Sequence, residues 1–165
     1  SGVHSNGFTL ARAAIQELDL HEIFPELDDT RTLGRVLLEP TRIYVEPIVK
    51  LLREYTVKKV VSGMAHITGG GIAGNLCRSL GKDVDATVHL DRITVPNIFP
   101  FLQEHGNIET EEMYRVFNMG IGYVLIVRPS FADSITAKLE KLQCSPIVLG
   151  YITGGSGKVH LASGE

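Results

Sequence analysis

The chain has 165 residues, of which 44% are apolar and 21% charged, with 17 Gly, 7 Pro and a net charge of -3. Against roughly one domain per 150 residues this points to a single globular domain over 1–165 with a buried core. It is not a disordered tail, a coiled coil or a collagen-like repeat. No run approaches the ~18 to 20 apolar residues of a membrane span. The 16 Lys and Arg against 19 Asp and Glu leave no broad basic footprint for nucleic acid.

The opening SGVHSNG is loop-like and begins without Met, which reads as the start of a fragment. Leu10, Ala11, Ala14, Ile15 and Leu18 then fall at helical spacing behind Ser5 and Asn6, both good N-cap types, predicting a helix over about 7–18. HEIFPELDDT is a polar connection, LGRVLL a short apolar segment, and EPTRIYVEP an extended piece fenced by prolines over 41–45. IVKLLREY follows as a helix with Pro47 in its first turn.

VKKVVSGMAHIT is β-branched and apolar, a buried strand leading into Gly69, Gly70 and Gly71. IAGNLCRSL resumes helical spacing, and DATVHLDR reads as a strand. PNIFPFLQEHG reads as a short helix closed by Gly106, and ETEEMYRVFN as a helix with acids where its dipole favours them. GIGYVLIV is the strongest strand pattern. SFADSITAKLEKL is a helix with Ser130 and Asp133 at capping-box spacing, and PIVLGYITGG with KVHLA reads as two strands joined at GGSG. Helices alternating with strands fit a mixed sheet with helices packed on it.

The sharpest motif is HITGGG at 66–71. Glycines between a strand and a helix let backbone approach a ligand, and the helix N–H groups attract phosphate. A plain tight turn is the alternative. GGGIAG also spells G-x-G-x-x-G, with Asp91 twenty residues past Gly71, but no regular βαβαβ continuation follows and a dinucleotide fold is set aside. GGSGK lacks P-loop spacing and reads as a hairpin turn. His4 and His66 lie in glycine-bearing loops where an imidazole can face a ligand and titrate near neutral pH. His21, His105 and His160 read as surface or turn residues, and His89 as facing either way. Cys77 and Cys144 are too few and too isolated for a disulfide framework or a zinc site, so a reducing cytoplasm is expected. No spacing indicates a metal site. Asn118, with Gly120 and Gly122 before an apolar strand, is either a helix stop or substrate-contacting material.

Taken in order, SGVHSNGFTLAR, LLEPTRIYVEP, GMAHITGGGIAGNLCRSL and NIFPFLQEHGNIETEEMYRVFNMGIGYVLIV resemble the carboxy-terminal half of the phosphoribosylformylglycinamidine cyclo-ligases (aminoimidazole ribonucleotide synthetases) of purine biosynthesis, over nearly the whole chain. The resemblance implies an α+β fold, three-layer α/β/α with a mixed sheet and partly ferredoxin-like. It also implies that the chain is the C-terminal half of a longer homodimeric enzyme, its N-terminal ATP-binding domain absent. The implied reaction closes formylglycinamidine ribonucleotide to aminoimidazole ribonucleotide as ATP becomes ADP and phosphate. The formamide oxygen is phosphorylated, then displaced by the amidine-side nitrogen, with Mg²⁺ as counterion. ATP and Mg²⁺ are expected mainly on the missing domain, and this chain alone is expected to be inactive.

By motif position the resemblance makes His4 and His66 the catalytic candidates. Ser5, Asn6, Gly7, Thr68, Gly69, Gly70, Gly71, Asn75, Arg78, Thr41, Arg42, Tyr44, Asn118 and Gly120 are its substrate- or phosphate-binding candidates; Arg78 has a structural ion pair as its alternative role. The family's E-N-x-P-R reads Gly74, Asn75, Leu76, Cys77, Arg78 here. Another ATP-dependent enzyme of the same superfamily, a synthase or small-molecule kinase, and a non-catalytic binding module are the competing readings.

Overall fold

A computed structural model describes residues 1–163, which divide into two compact units of three segments each. The first comprises Ser1–Arg42, Ile67–Asn75 and Ile93–Gly122, and the second the remainder.

The first unit is helical. Its core joins α1 (Phe8–Ala14), α2 (Leu33–Leu37), α5 (Ile98–Gly106) and α6 (Thr110–Val116) through Ala11, Leu33, Phe99, Leu102, Met113 and Phe117, each at most 1% exposed. Burying one of the Leu, Met or Phe side chains among these contributes about 1.5–3 kcal/mol. The predicted cap of α1 is corrected here. Gly7, not Ser5 or Asn6, takes the N-cap position at φ 72°, with no side-chain cap. A Cβ on Gly7 would lie 2.5 Å from the Phe117 ring, so the helix starts where only glycine lets α1 approach that ring. α1 also stops at Ala14, short of Leu18. α5 is closed by Asn107 at φ 46°, whose N–H reaches Gln103 O and Glu104 O. Gly106 instead gives α1 room, because a Cβ there would fall 2.6 Å from that of Ala14. α6 carries Glu111 and Glu112 in its first turn as expected, and Arg115 pairs with Glu112.

The second unit carries both sheets. β1 (Val61–His66) pairs antiparallel with β3 (Tyr123–Val127), with an irregularity at Val61 to Gly63. β1 alternates, with Val61 and Ala65 buried and Ser62, Met64 and His66 exposed, so it is a half-covered strand rather than the fully buried one expected. α3 (Val45–Glu54) and α7 (Ala132–Lys141) cover it through Leu51, Val60, Val61 and Ile135. Tyr55 and Ser134 hydroxyls meet at 2.8 Å, and Lys138 pairs with Glu54. The capping box expected at Ser130 is absent: Phe131 holds the N-cap without a side-chain bond, because a 3-10 turn over Pro129–Phe131 already leads into the helix.

The three-stranded sheet runs β4 (Gly150–Gly154), β2 (Val84–His89), β5 (Val159–Ala162). β4 lies antiparallel and β5 parallel to β2. This corrects the expected hairpin: the two closing strands do not pair with each other but flank β2, and GGSG is the crossing between them. Asp85 holds that crossing. Its Oδ1 accepts from Ser156 N–H at 2.7 Å and Lys158 N–H at 2.8 Å, and His160 Nε2 lies 3.0 Å from Oδ2. A Cβ on Gly155 would collide with the Asp85 carboxylate at 2.1 Å. The sheet is therefore mixed, and the fold is α+β as expected.

The hydrogen bond with His160 and the two backbone N–H bonds hold the Asp85 carboxyl well below its ordinary value of 3.8. A depressed carboxylate adds stability above its unfolded value, and that stability is lost as the pH falls through the folded one. Asp85→Asn is therefore expected to show a smaller fall in melting temperature between pH 5 and pH 3 than the wild type, measured by circular dichroism. An equal fall in both would remove Asp85 from the acid sensitivity.

Candidate functional site

In the first unit, the glycine loop is shaped by Asn75. Its buried amide donates to Thr68 O (3.2 Å), Gly69 O (3.3 Å) and Gly71 O (2.8 Å), and Thr68 Oγ1 donates back to its Oδ1 at 3.2 Å. Gly70 and Gly71 take φ of 100° and 61°, conformations that favour glycine. The Gly71 N–H is used within the loop on Thr68 O, so the loop presents the exposed Gly69 and Gly70 instead. Gly71 is buried against Tyr114 O, and α4 (Gly71–Leu76) starts on it. Asn6 belongs to the same surface: a Cβ on Gly69 would lie 3.7 Å from Asn6 Oδ1. Two motifs 60 residues apart in sequence thus adjoin.

His4 is 6% exposed and held at φ 60°, a left-handed conformation uncommon outside glycine. The FNMGIG turn fixes the backbone beside it. Asn118 Nδ2 donates to Gly2 O at 2.7 Å, Gly120 N–H donates to Asn118 Oδ1 at 2.7 Å, and the Ser1 amine donates to Gly120 O at 2.8 Å. Met119 and Gly120 both have positive φ, 49° and 101°. Asn75 and Asn118, taken from sequence as substrate contacts, therefore commit their side chains to fixing the backbone of the loops that carry Gly69 and His4. Ser5 is exposed next to His4. Thr41 and Arg42 share a cavity with His4, together with Glu39, which the sequence reading passed over.

In the second unit, His66 ends β1 with an exposed side chain in a cluster of three rings with Tyr44 and Tyr123. Tyr123, its partner across the ladder, stacks on it at 6.0 Å and 28°, and Tyr44 meets it edge-on at 5.7 Å. The two tyrosines also touch, their centroids 5.4 Å apart. Tyr123 was not singled out because no sequence spacing links it to His66; only the strand pairing does. Arg78 is exposed in a 3-10 turn over Cys77–Ser79 and joins no ion pair among the described residues. The other histidines differ among themselves: His160 sits on Asp85, His105 packs on Phe101 at 4.3 Å and His89 on Tyr151 at 5.6 Å. The G-x-G-x-x-G reading fails structurally as well, since β1 has an antiparallel neighbour rather than the parallel ones of a dinucleotide fold. No helix is long and apolar enough to cross a membrane among the described residues.

The chain matches the family described as AIR synthase related protein, C-terminal domain, over residues 1–162. It belongs to that family. Among relatives, it is 41% identical over 162 residues to a phosphoribosylformylglycinamidine cyclo-ligase of Alkaliphilus metalliredigens, covering 98% of this chain and 46% of that protein. It is 44% identical over 155 residues to the enzyme of that name from Syntrophotalea carbinolica, covering 92% and 43%, respectively. The corresponding protein of Neisseria gonorrhoeae is 42% identical over 160 residues, covering 97% and 45%. The chain thus spans about half the length of the curated relatives it matches.

Proposed function

We propose that this domain supplies the substrate side of an ATP-dependent cyclo-ligase that closes formylglycinamidine ribonucleotide to aminoimidazole ribonucleotide, releasing ADP and phosphate in purine biosynthesis. The observation that carries the reading is a family match spanning 162 of 165 residues, together with relatives of that name at 41–44% identity. His66 is the residue we assign to the phosphoryl group or the activated formyl oxygen, because its imidazole is exposed and its ring is set by Tyr44 and Tyr123. Gly69 and Gly70 offer the backbone donors for phosphate, shaped from behind by Asn75. His4, buried and conformationally fixed, is the second imidazole available to hold or move a proton.

The expected cofactors, ATP and Mg²⁺, differ in how they relate to these residues. ATP enters as the phosphoryl donor, and the part of the relatives that this chain does not span is assigned its binding. No group of three His, Cys, Asp or Glu side chains gathers among the described residues; Mg²⁺ is assigned, with ATP, mainly to the part of the relatives that this chain does not span, and no step here is routed through it. A homodimer built through the other half, and a cytoplasmic location, belong to the same proposal.

The test is release of ADP and aminoimidazole ribonucleotide from formylglycinamidine ribonucleotide and ATP, for this chain and for the complete product of its gene. Activity is expected only in the latter. Absence from both folded proteins would favour another ATP-dependent reaction of the superfamily or a binding module, and ADP release triggered by a different substrate would identify the former.

A further inference from the structure

α3 is apolar on two sides. At 3.6 residues per turn, Val45, Val49 and Leu52 fall within about 60° of one another, while Leu51 points well away from them. Leu51 is fully buried and closes the core under the helix with Val60, Val61 and Ile135. The other stripe faces solvent. Val45 is 70% exposed, Val49 37% and Leu52 36%, and Ile43, just ahead of the helix, is 77% exposed. A surface helix ordinarily buries one apolar stripe and turns polar residues outward. Aliphatic side chains exposed singly need no explanation, but three in register on one helix, with Ile43 leading into them, form a surface. Glu46 and Lys50, which flank the stripe, neutralise each other in an ion pair at 2.6 Å. An uncharged aliphatic strip fits another aliphatic surface rather than a charged ligand.

The occupant is indicated by the additional chain that the relatives carry. The matched family is described as a C-terminal domain, and the match covers only 43 to 46% of the relatives, so their additional residues join ahead of Ser1. The Ser1 amine donates to Gly120 O at 2.8 Å and lines a cavity with Pro40, Thr41 and Arg42, which run directly into Ile43. Exposure along the stripe is greatest at that same end, at Ile43 and Val45, and falls toward Leu52. A folded half tethered at Ser1 is held at high effective concentration beside the most open part of the strip, an advantage that a second copy arriving from solution lacks.

We infer that the outward stripe of α3, formed by Val45, Val49 and Leu52 with Ile43, is the surface on which the amino-terminal half of the complete protein packs. The inference rests on the reading of this chain as part of a longer protein; it does not need the cyclo-ligase reaction.

The experiment introduces Val49→Cys or, as a reference, Glu140→Cys on the exposed side of α7, in this chain and in the complete product of its gene. Maleimide labelling is followed by peptide mass, which separates each site from Cys77 and Cys144. Labelling at position 49 is expected to be about tenfold slower or more in the complete product, because burying a Val-sized side chain is worth more than one decade of an opening equilibrium. Labelling at position 140 is expected to stay within about twofold. Val49→Asp gives a second reading: it is expected to shift the melting temperature of this chain by at most about 2 °C, as a surface substitution does, and that of the complete product at least about twice as far. Equal labelling at position 49 in the two proteins, or equal melt shifts, would each overturn the docking surface. Slow labelling already present in this chain and growing with its concentration would replace the assigned occupant with a second copy. Slowing at positions 49 and 140 alike would mark general shielding and overturn the assignment too. A gene product no longer than this chain would remove the occupant together with the reading of the chain as part of a longer protein. Protection in a complete product that releases no aminoimidazole ribonucleotide would sink the reaction and keep the docking surface; turnover without protection would do the reverse.

Discussion

Gly71→Ala is expected to lower the melting temperature of this chain by roughly 6–12 °C, the consequence of about 3 kcal/mol lost from a domain of this size. Two terms add. At φ 61° an L side chain costs about 1–3 kcal/mol, and overpacking a tight site typically costs another 1–3 kcal/mol. The second term is large here because the new Cβ would lie 1.9 Å from Tyr114 O and 3.2 Å from Phe117 O. Both are backbone atoms at the end of α6, which cannot swing aside as a flexible side chain can. Gly74, three residues on and also part of the glycine-bearing motif, is the internal control. Its Cβ would meet nothing within 4 Å, so Gly74→Ala is expected to be neutral or to stabilise by up to about 1 kcal/mol through helix propensity. Differential scanning calorimetry of the two variants separates them, and a Gly71→Ala melt coincident with the wild type would show that loop packing does not require that glycine.

The contrast between these two glycines shows what could be read from the sequence and what could not. Spacing showed that HITGGG and GGGIAG turn the chain from strand to helix; which glycine is sterically obligatory depends on α6, about 40 residues downstream. The same division runs through the fold. Local pattern was enough for α3, α5, α6, β1, β2 and β3, where periodicity or β-branching is strong and the ends are polar. It failed where the deciding contact is distant. Ser5 and Asn6 have the chemistry of caps, yet α1 begins on Gly7 because Phe117 leaves no space for a Cβ. PIVLGYITGG and KVHLA have the look of a hairpin, yet Asp85, some 70 residues upstream, draws the connecting loop across β2 and separates them. At the site, motifs located His4, His66 and the glycines, but Asn75 and Asn118 emerged as supports whose amides bridge backbone groups. Glu39 and Tyr123 carried no signal of their own. Glu39 is marked only by its link through Arg31 to Asp28, and Tyr123 only by its register opposite His66.

That register leads to the prediction about turnover. In the complete gene product, His66→Ala is expected to reduce kcat by about 10²-fold or more, the scale of a lost proton-transfer or charge-stabilising group. Folding should hardly change. The His66 imidazole is exposed, and the contacts it leaves with Tyr44 and Tyr123 are ring contacts, worth about 0.5–1.5 kcal/mol for an aromatic pair beyond area burial. Because Tyr123 stacks on the imidazole rather than reaching through its hydroxyl, Tyr123→Phe should keep near-normal turnover, whereas Tyr123→Leu should lose about tenfold in kcat by letting the imidazole tilt. The KM for ATP should stay unchanged in the leucine variant, since the tyrosine acts on the geometry of His66 and not on nucleotide binding. Steady-state kinetics with formylglycinamidine ribonucleotide and ATP, alongside melts of each variant, check all of these. Wild-type turnover in a folded His66→Ala protein would remove the imidazole from the reaction. Equal losses in Tyr123→Phe and Tyr123→Leu would place the function in the phenol hydroxyl rather than in the stacking that orients His66.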